Sequence, residues 1–117
     1  KGTLVCYSNE IKEEILDVPE EIIAKKGAVS KETVKYMAEN GKELFNTDYA
    51  VAISGIAGPT GGTQDKPVGL VHFAIATPTK IFHNEFNFHG NREIVIESAS
   101  NTAILLLIQH ITHFNFE

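Results

Sequence analysis

The chain has 117 residues, 43% of them hydrophobic and 21% charged, with a formal net charge of -5. That length suits one domain spanning residues 1–117, with a real core but marginal stability on its own. The acidic balance excludes a general nucleic-acid binder, which needs clustered Lys and Arg for phosphate backbones.

The longest purely apolar run, Ala103 to Ile108, falls far short of a membrane span, and no signal-peptide pattern opens the chain. The single cysteine, Cys6, forbids an internal disulfide and points to a reducing, cytoplasmic compartment. The chain opens Lys1-Gly2-Thr3 and its one methionine is Met37, so further residues are expected upstream.

Residues 3–7, β-branched and aromatic, predict a strand. Ser8-Asn9 supplies N-cap chemistry for a short helix from Glu10 to Leu16. Pro19 opens a second short helix to about Lys26, with Gly27 as its C-cap. Ser30 caps a third, in which Val34, Met37, Ala38, Gly41, Leu44 and Phe45 form one buried face. Tyr49 to Ser54 reads as a buried strand.

A glycine-rich loop runs from Gly55 to Lys66. From Pro67 the chain extends again and is apolar on both faces, which predicts a central strand covered on two sides. Thr77-Pro78-Thr79 turns it into an antiparallel neighbour, with Phe82, Phe86 and Phe88 on one face and His83, Glu85 and Asn87 on the other. The last helix, about Arg92 to His113, is apolar nearly all round in its middle and is expected to pack deeply against the sheet. This order predicts an α/β fold, a three-layer α/β/α sandwich with a mixed, mostly parallel sheet.

Two constellations carry chemistry. The first is the loop Ser54-Gly55-Ile56-Ala57-Gly58-Pro59-Thr60-Gly61-Gly62-Thr63, followed by Lys66-Pro67-Val68-Gly69. Glycines let backbone N–H groups approach an anion and form a concave nest. The alternative is a long hairpin-like connection rich in turn residues. The loop is neither a Walker A motif nor a dinucleotide fingerprint, since no Gly-Lys-Ser/Thr and no immediate helix follow.

The second is Tyr7, Ser8, Asn9 and Lys12. A lysine amine serves as a base only when neutral, which takes desolvation, a nearby cation or a helix N-terminus. On pattern alone, a solvated lysine beside a half-buried strand-end tyrosine is the commoner arrangement.

The remaining signals are weaker. His110 and His113 share a helix face at a zinc-like spacing, but no third ligand lies near, and a frayed helix end accounts for them. His72 reads as a core histidine with a backbone partner, His83 and His89 as exposed. Cys6 reads as a small buried hydrophobe.

Five separated blocks, in order, give the chain a likeness. Tyr7-Ser8-Asn9-x-x-Lys12 through Val18-Pro19, Gly27-Ala28-Val29-Ser30, the Ser54–Gly62 loop, Lys66-Pro67-Val68-Gly69 and Gly90-Asn91-Arg92 together resemble the CinA C-terminal domain family. That family includes bacterial nicotinamide-nucleotide amidases. The resemblance implies hydrolysis of the carboxamide of nicotinamide mononucleotide to nicotinate mononucleotide and ammonia, by a serine–lysine pair with a supporting tyrosine.

It makes Lys12 the general base and Tyr7 its partner. Ser54, Gly55, Gly58, Gly61 and Gly62 become substrate contacts, and Arg92 a fork for the phosphate. No metal or other cofactor is implied, the ligand is a small pyridine nucleotide, and self-association is expected. The family's serine lies in a Glu-Ser-Cys-Thr-Gly-Gly-like segment ahead of residue 1, and no such segment occurs in these residues. The chain alone is therefore expected to be inactive. The alternative is a non-catalytic nucleotide-binding or interaction module of a larger competence- or damage-inducible protein.

Overall fold

A computed structural model describes residues 1–112. The elements run α1 (Asn9–Glu14), α2 (Glu20–Lys26), α3 (Lys31–Phe45), β1 (Ala50–Gly55), β2 (Leu70–Ala76), β3 (Ile81–Asn87) and α4 (Arg92–Thr112). Helix starts follow their side-chain caps: the Ile11 N–H donates to Ser8 Oγ at 3.2 Å and the Thr33 N–H to Ser30 Oγ at 3.2 Å. Gly27, at φ +83°, closes α2 as its C-cap.

The three strands form one sheet in the order β1-β2-β3, and both pairings are antiparallel. A mixed, mostly parallel sheet is therefore not what forms. β1 and β2 are two arms of a hairpin joined by the glycine loop, so no crossover separates them. The expected strand at residues 3–7 does not pair either. Leu4 and Cys6 pack against the core, but the segment joins no ladder. Its composition favours an extended chain, whereas pairing needs a partner edge at ladder distance.

β2 is the central strand, with every residue from Val71 to Ala76 buried. Its faces feed two separate cores. Ala74 and Ala76 meet Leu16, Val18, Val34, Met37 and Ala38 from the α1–α3 side. Val71, Phe73 and Ile75 meet Val95, Ala99, Ala103 and Leu106 of α4. The small residues Ala99 and Ala103 let α4 lie close to the fully buried ring of Phe73.

Two predicted burials fail. Leu44 is 53% exposed, because its helix face is fully used by Val34, Met37, Ala38 and Gly41. α4 does not pack deeply all round: Ile104 is 58% exposed, and Leu105, Ile108 and Ile111 are exposed as well. One helix face can meet one sheet, so an all-round apolar helix leaves its outer side bare. Among the described residues α4 is the one helix long and apolar enough, by length and composition, to cross a membrane. No single run in it reaches that length, since polar residues such as Glu97, Ser100 and Asn101 interrupt it.

Candidate functional site

Lys12 is the most unusual side chain in the domain. It lies on α1 and is only 6% exposed. Its Nζ donates to the Cys6 carbonyl at 2.7 Å. Burial pushes the amine below the usual lysine value, against a weaker opposing pull from Cys6. The helix end opposes that shift. Lys12 sits in the last turn of α1, not the first, and there the carbonyl-rich end favours a positive charge. Desolvation alone makes this lysine easier to deprotonate.

Lys12 borders a cavity of about 740 Å³, whose wall also includes Cys6, Tyr7, Ser54 and Gly55. The first residues of the chain and β1 both line this space. Two stretches about forty residues apart, the turn into α1 and the end of β1, thus face one chamber. Tyr7 lines it too, but the residue is 94% exposed and no hydrogen bond joins it to Lys12.

The other predicted site residues lie away from this wall. The loop's base is stitched by Ile56 N–H to Leu70 O at 2.9 Å and Gly69 N–H to Ile56 O at 2.7 Å. Its tip closes through Thr63 N–H to Lys66 O at 2.8 Å. Gly58, Gly61 and Gly62 serve this closure and are not cavity residues. A Cβ at Gly58 would stand 2.5 Å from Val68 Cγ1, and one at Gly62 would stand 2.7 Å from the Val68 nitrogen. Arg92 is exposed, and its Nη1 donates to the Gly58 carbonyl at 2.8 Å, tying the loop to the start of α4. Lys66 Nζ donates to the Lys26 carbonyl and pins the far end of the loop to α2.

A side-chain pair that the pattern did not suggest lies between β2 and β3. His72 has a side-chain partner, not a backbone one: its Nδ1 and the Nε2 of His83 are 2.9 Å apart. His83 is therefore half-buried where it was expected to be exposed. The signal available was parity, since His72 and His83 fall on the same face of neighbouring strands once the hairpin register is known. Cys6 is half-buried, and burial raises its thiol above the usual range, so it is not an activated thiolate. The His110–His113 spacing lies partly outside the described residues.

The chain matches known proteins over nearly all its length. The model of the CinA C-terminal domain matches residues 1–111. A CinA-like protein of Thermosipho melanesiensis is 49% identical over 109 residues, covering 92% of this chain and 27% of the relative. A CinA-like protein of Endomicrobium trichonymphae is 50% identical over 107 residues, covering 92% and 25%. The chain thus spans about a quarter of the length of these curated relatives. Among solved structures, the competence damage-inducible protein A of Klebsiella pneumoniae superposes with a TM-score of 0.88 at 33% identity, over 95% of this chain and 69% of the other. The competence/damage inducible protein CihA of Agrobacterium tumefaciens gives 0.80 at 39% identity, over 87% and 63%.

Proposed function

We propose, from the premise that this chain belongs to the CinA C-terminal domain family, that it supplies the base side of an amidohydrolase site for nicotinamide mononucleotide. The observation that carries the reading is the buried Lys12 amine on the wall of the chamber that Ser54 and Gly55 also line. A serine from outside these residues would enter that chamber. Lys12 would take its hydroxyl proton as the oxygen attacks the carboxamide carbon, and return the proton to the departing ammonia. Tyr7 would have to swing in from solvent to orient the amine, and Ser54 with the Gly55 backbone holds the carboxamide.

Arg92 acts on the ligand in two ways: it fixes the loop through Gly58, and its remaining guanidinium N–H groups bind the phosphate. We read the fold as a three-layer α/β/α sandwich, supported by the separate cores on the two faces of β2. The single thiol supports action in the cytoplasm, and the bare aliphatic side of α4 supports self-association.

The test is ammonia release from nicotinamide mononucleotide. The 117 residues alone are expected to give none, and the full-length gene product to turn over. In the latter, Lys12→Ala is expected to abolish turnover with the circular dichroism spectrum unchanged. Unaltered kcat in that variant removes Lys12 from the mechanism, and full turnover by the isolated chain defeats the divided site. The second reading, a nucleotide-binding module without catalysis, draws on the solvent-exposed Tyr7, which makes no hydrogen bond to Lys12. It requires the full-length product to bind the nucleotide without hydrolysing it.

A further inference from the structure

His72 and His83 belong to no part of the site proposed above. We infer that they form an acid-opened latch, which holds β3 against β2 while one of the two facing nitrogens keeps its lone pair.

The geometry carries the argument. His72 Nδ1 and His83 Nε2 stand 2.9 Å apart, and the rings stack at 5.1 Å between centroids. At that distance one nitrogen must bear hydrogen and the other must accept it. Glu85 decides which. Its carboxylate lies 3.8 Å from His72 Nε2 and favours an N–H there, which leaves Nδ1 as the acceptor and His83 Nε2–H as the donor. A first added proton goes to His83 Nδ1 and leaves this bond intact. A second has only His72 Nδ1 to occupy, and would set two N–H groups head to head. His72 is 7% exposed, so water cannot easily replace the lost acceptor.

The surrounding charges do not rescue the doubly protonated state. Lys31 and Lys35 of α3 oppose a charge on His83, and Lys66 of the loop opposes one on His72. Glu85 of β3 favours both charges and Glu32 of α3 favours that on His72, but burial outweighs them and lowers both rings below the usual histidine range. From β1 the residue opposite His72 is Ser54, which is uncharged and lines the chamber. The latch therefore adjoins the candidate site through one cross-strand pair.

The experiment follows the imidazole nitrogens of the 15N-labelled chain by NMR from pH 8 to pH 4, alongside urea unfolding at each pH. His72 and His83 are expected to titrate in two coupled steps separated by about one pH unit or more, with the unfolding midpoint falling as pH drops from about 6.5 toward the second step and levelling below it. His83→Gln is the companion variant. Its amide can donate to neutral His72, or turn its oxygen to accept from protonated His72. It should match the wild type at pH 8 and lose the acid-induced fall. Independent single titrations of both rings at about 6.5 would overturn the latch, as would an equally steep acid loss in His83→Gln. Stabilisation at pH 8 by Zn²⁺ alone, absent from His83→Gln, would identify a chelate instead and also overturn it. Should the variant fail to fold, the wild-type titration decides.

Discussion

Gly69 and Gly61 share a positive φ and differ in surroundings, which makes them a useful pair. Gly69 sits at φ +97° and Gly61 at φ +95°. A Cβ at Gly69 would lie 2.0 Å from the Phe88 carbonyl oxygen, whereas at Gly61 its nearest neighbour is Ile56 Cγ2 at 3.7 Å. Gly69 also carries two structural bonds, donating to Ile56 O at 2.7 Å and accepting from Phe88 N–H at 2.8 Å. For alanine at either position the left-handed backbone costs about 1–2 kcal/mol, offset by about 0.5–1 kcal/mol from the stiffer unfolded chain.

Gly61→Ala should therefore destabilise by about 1 kcal/mol or less. Gly69→Ala must additionally push β3 away from the loop base and weaken both bonds, at about 1 kcal/mol each. Its expected loss is about 2–3 kcal/mol, a large share of the roughly 5–15 kcal/mol that holds a domain together. In urea that is a midpoint shift of about 1–2 M. If the two variants unfold within about 0.3 M of each other, the close approach of Gly69 to Phe88 is not what ties loop to strand.

Two further outcomes follow from the caps and the buried charge. Ser30→Ala removes an oxygen that accepts from Thr33 N–H at 3.2 Å and a hydroxyl that reaches Gly27 O at 2.9 Å; urea unfolding should show a loss of about 1–2 kcal/mol, and no loss would deny the cap its role. Lys12→Met keeps the side chain's bulk and removes its charge. The lysine is held below its unfolded value of 10.5, so the unfolded chain binds the extra proton and wild-type stability rises with pH through that window. The variant's advantage at pH 7 should shrink as pH approaches 10.5, and a gap independent of pH would show that the amine is not desolvated.

Local signals in the sequence were legible where local physics decides. Ser8, Ser30 and Gly27 mark helix ends because caps act over three or four residues. β2 is recognisable as central because both of its faces are apolar. Strand direction was not legible in the same way. A glycine loop between two apolar runs suits a hairpin as well as a crossover, and the antiparallel outcome depends on which edges meet. Residues 3–7 have strand composition, yet a cavity takes the place of their partner. The outer face of α4 looks like core in sequence, because hydropathy reports what a helix can bury and not what covers it.

The candidate site divides along the same line. Residue identity pointed to Lys12 and Ser54, but their sharing of one chamber wall is a tertiary fact. The reason Lys12 is perturbed also changes. A first-turn position would have let the helix end depress the amine, whereas the last-turn position works against it and leaves burial as the largest cause. That difference has a consequence. A shift caused by a helix terminus would survive opening of the chamber, whereas one caused by burial is lost once water reaches Nζ. The buried Leu16, which lines the same chamber as Lys12, is thus part of the chemistry of that amine. A change there that enlarges the chamber, such as Leu16→Ala, should return the amine toward its ordinary value in an NMR titration of Lys12 Nζ.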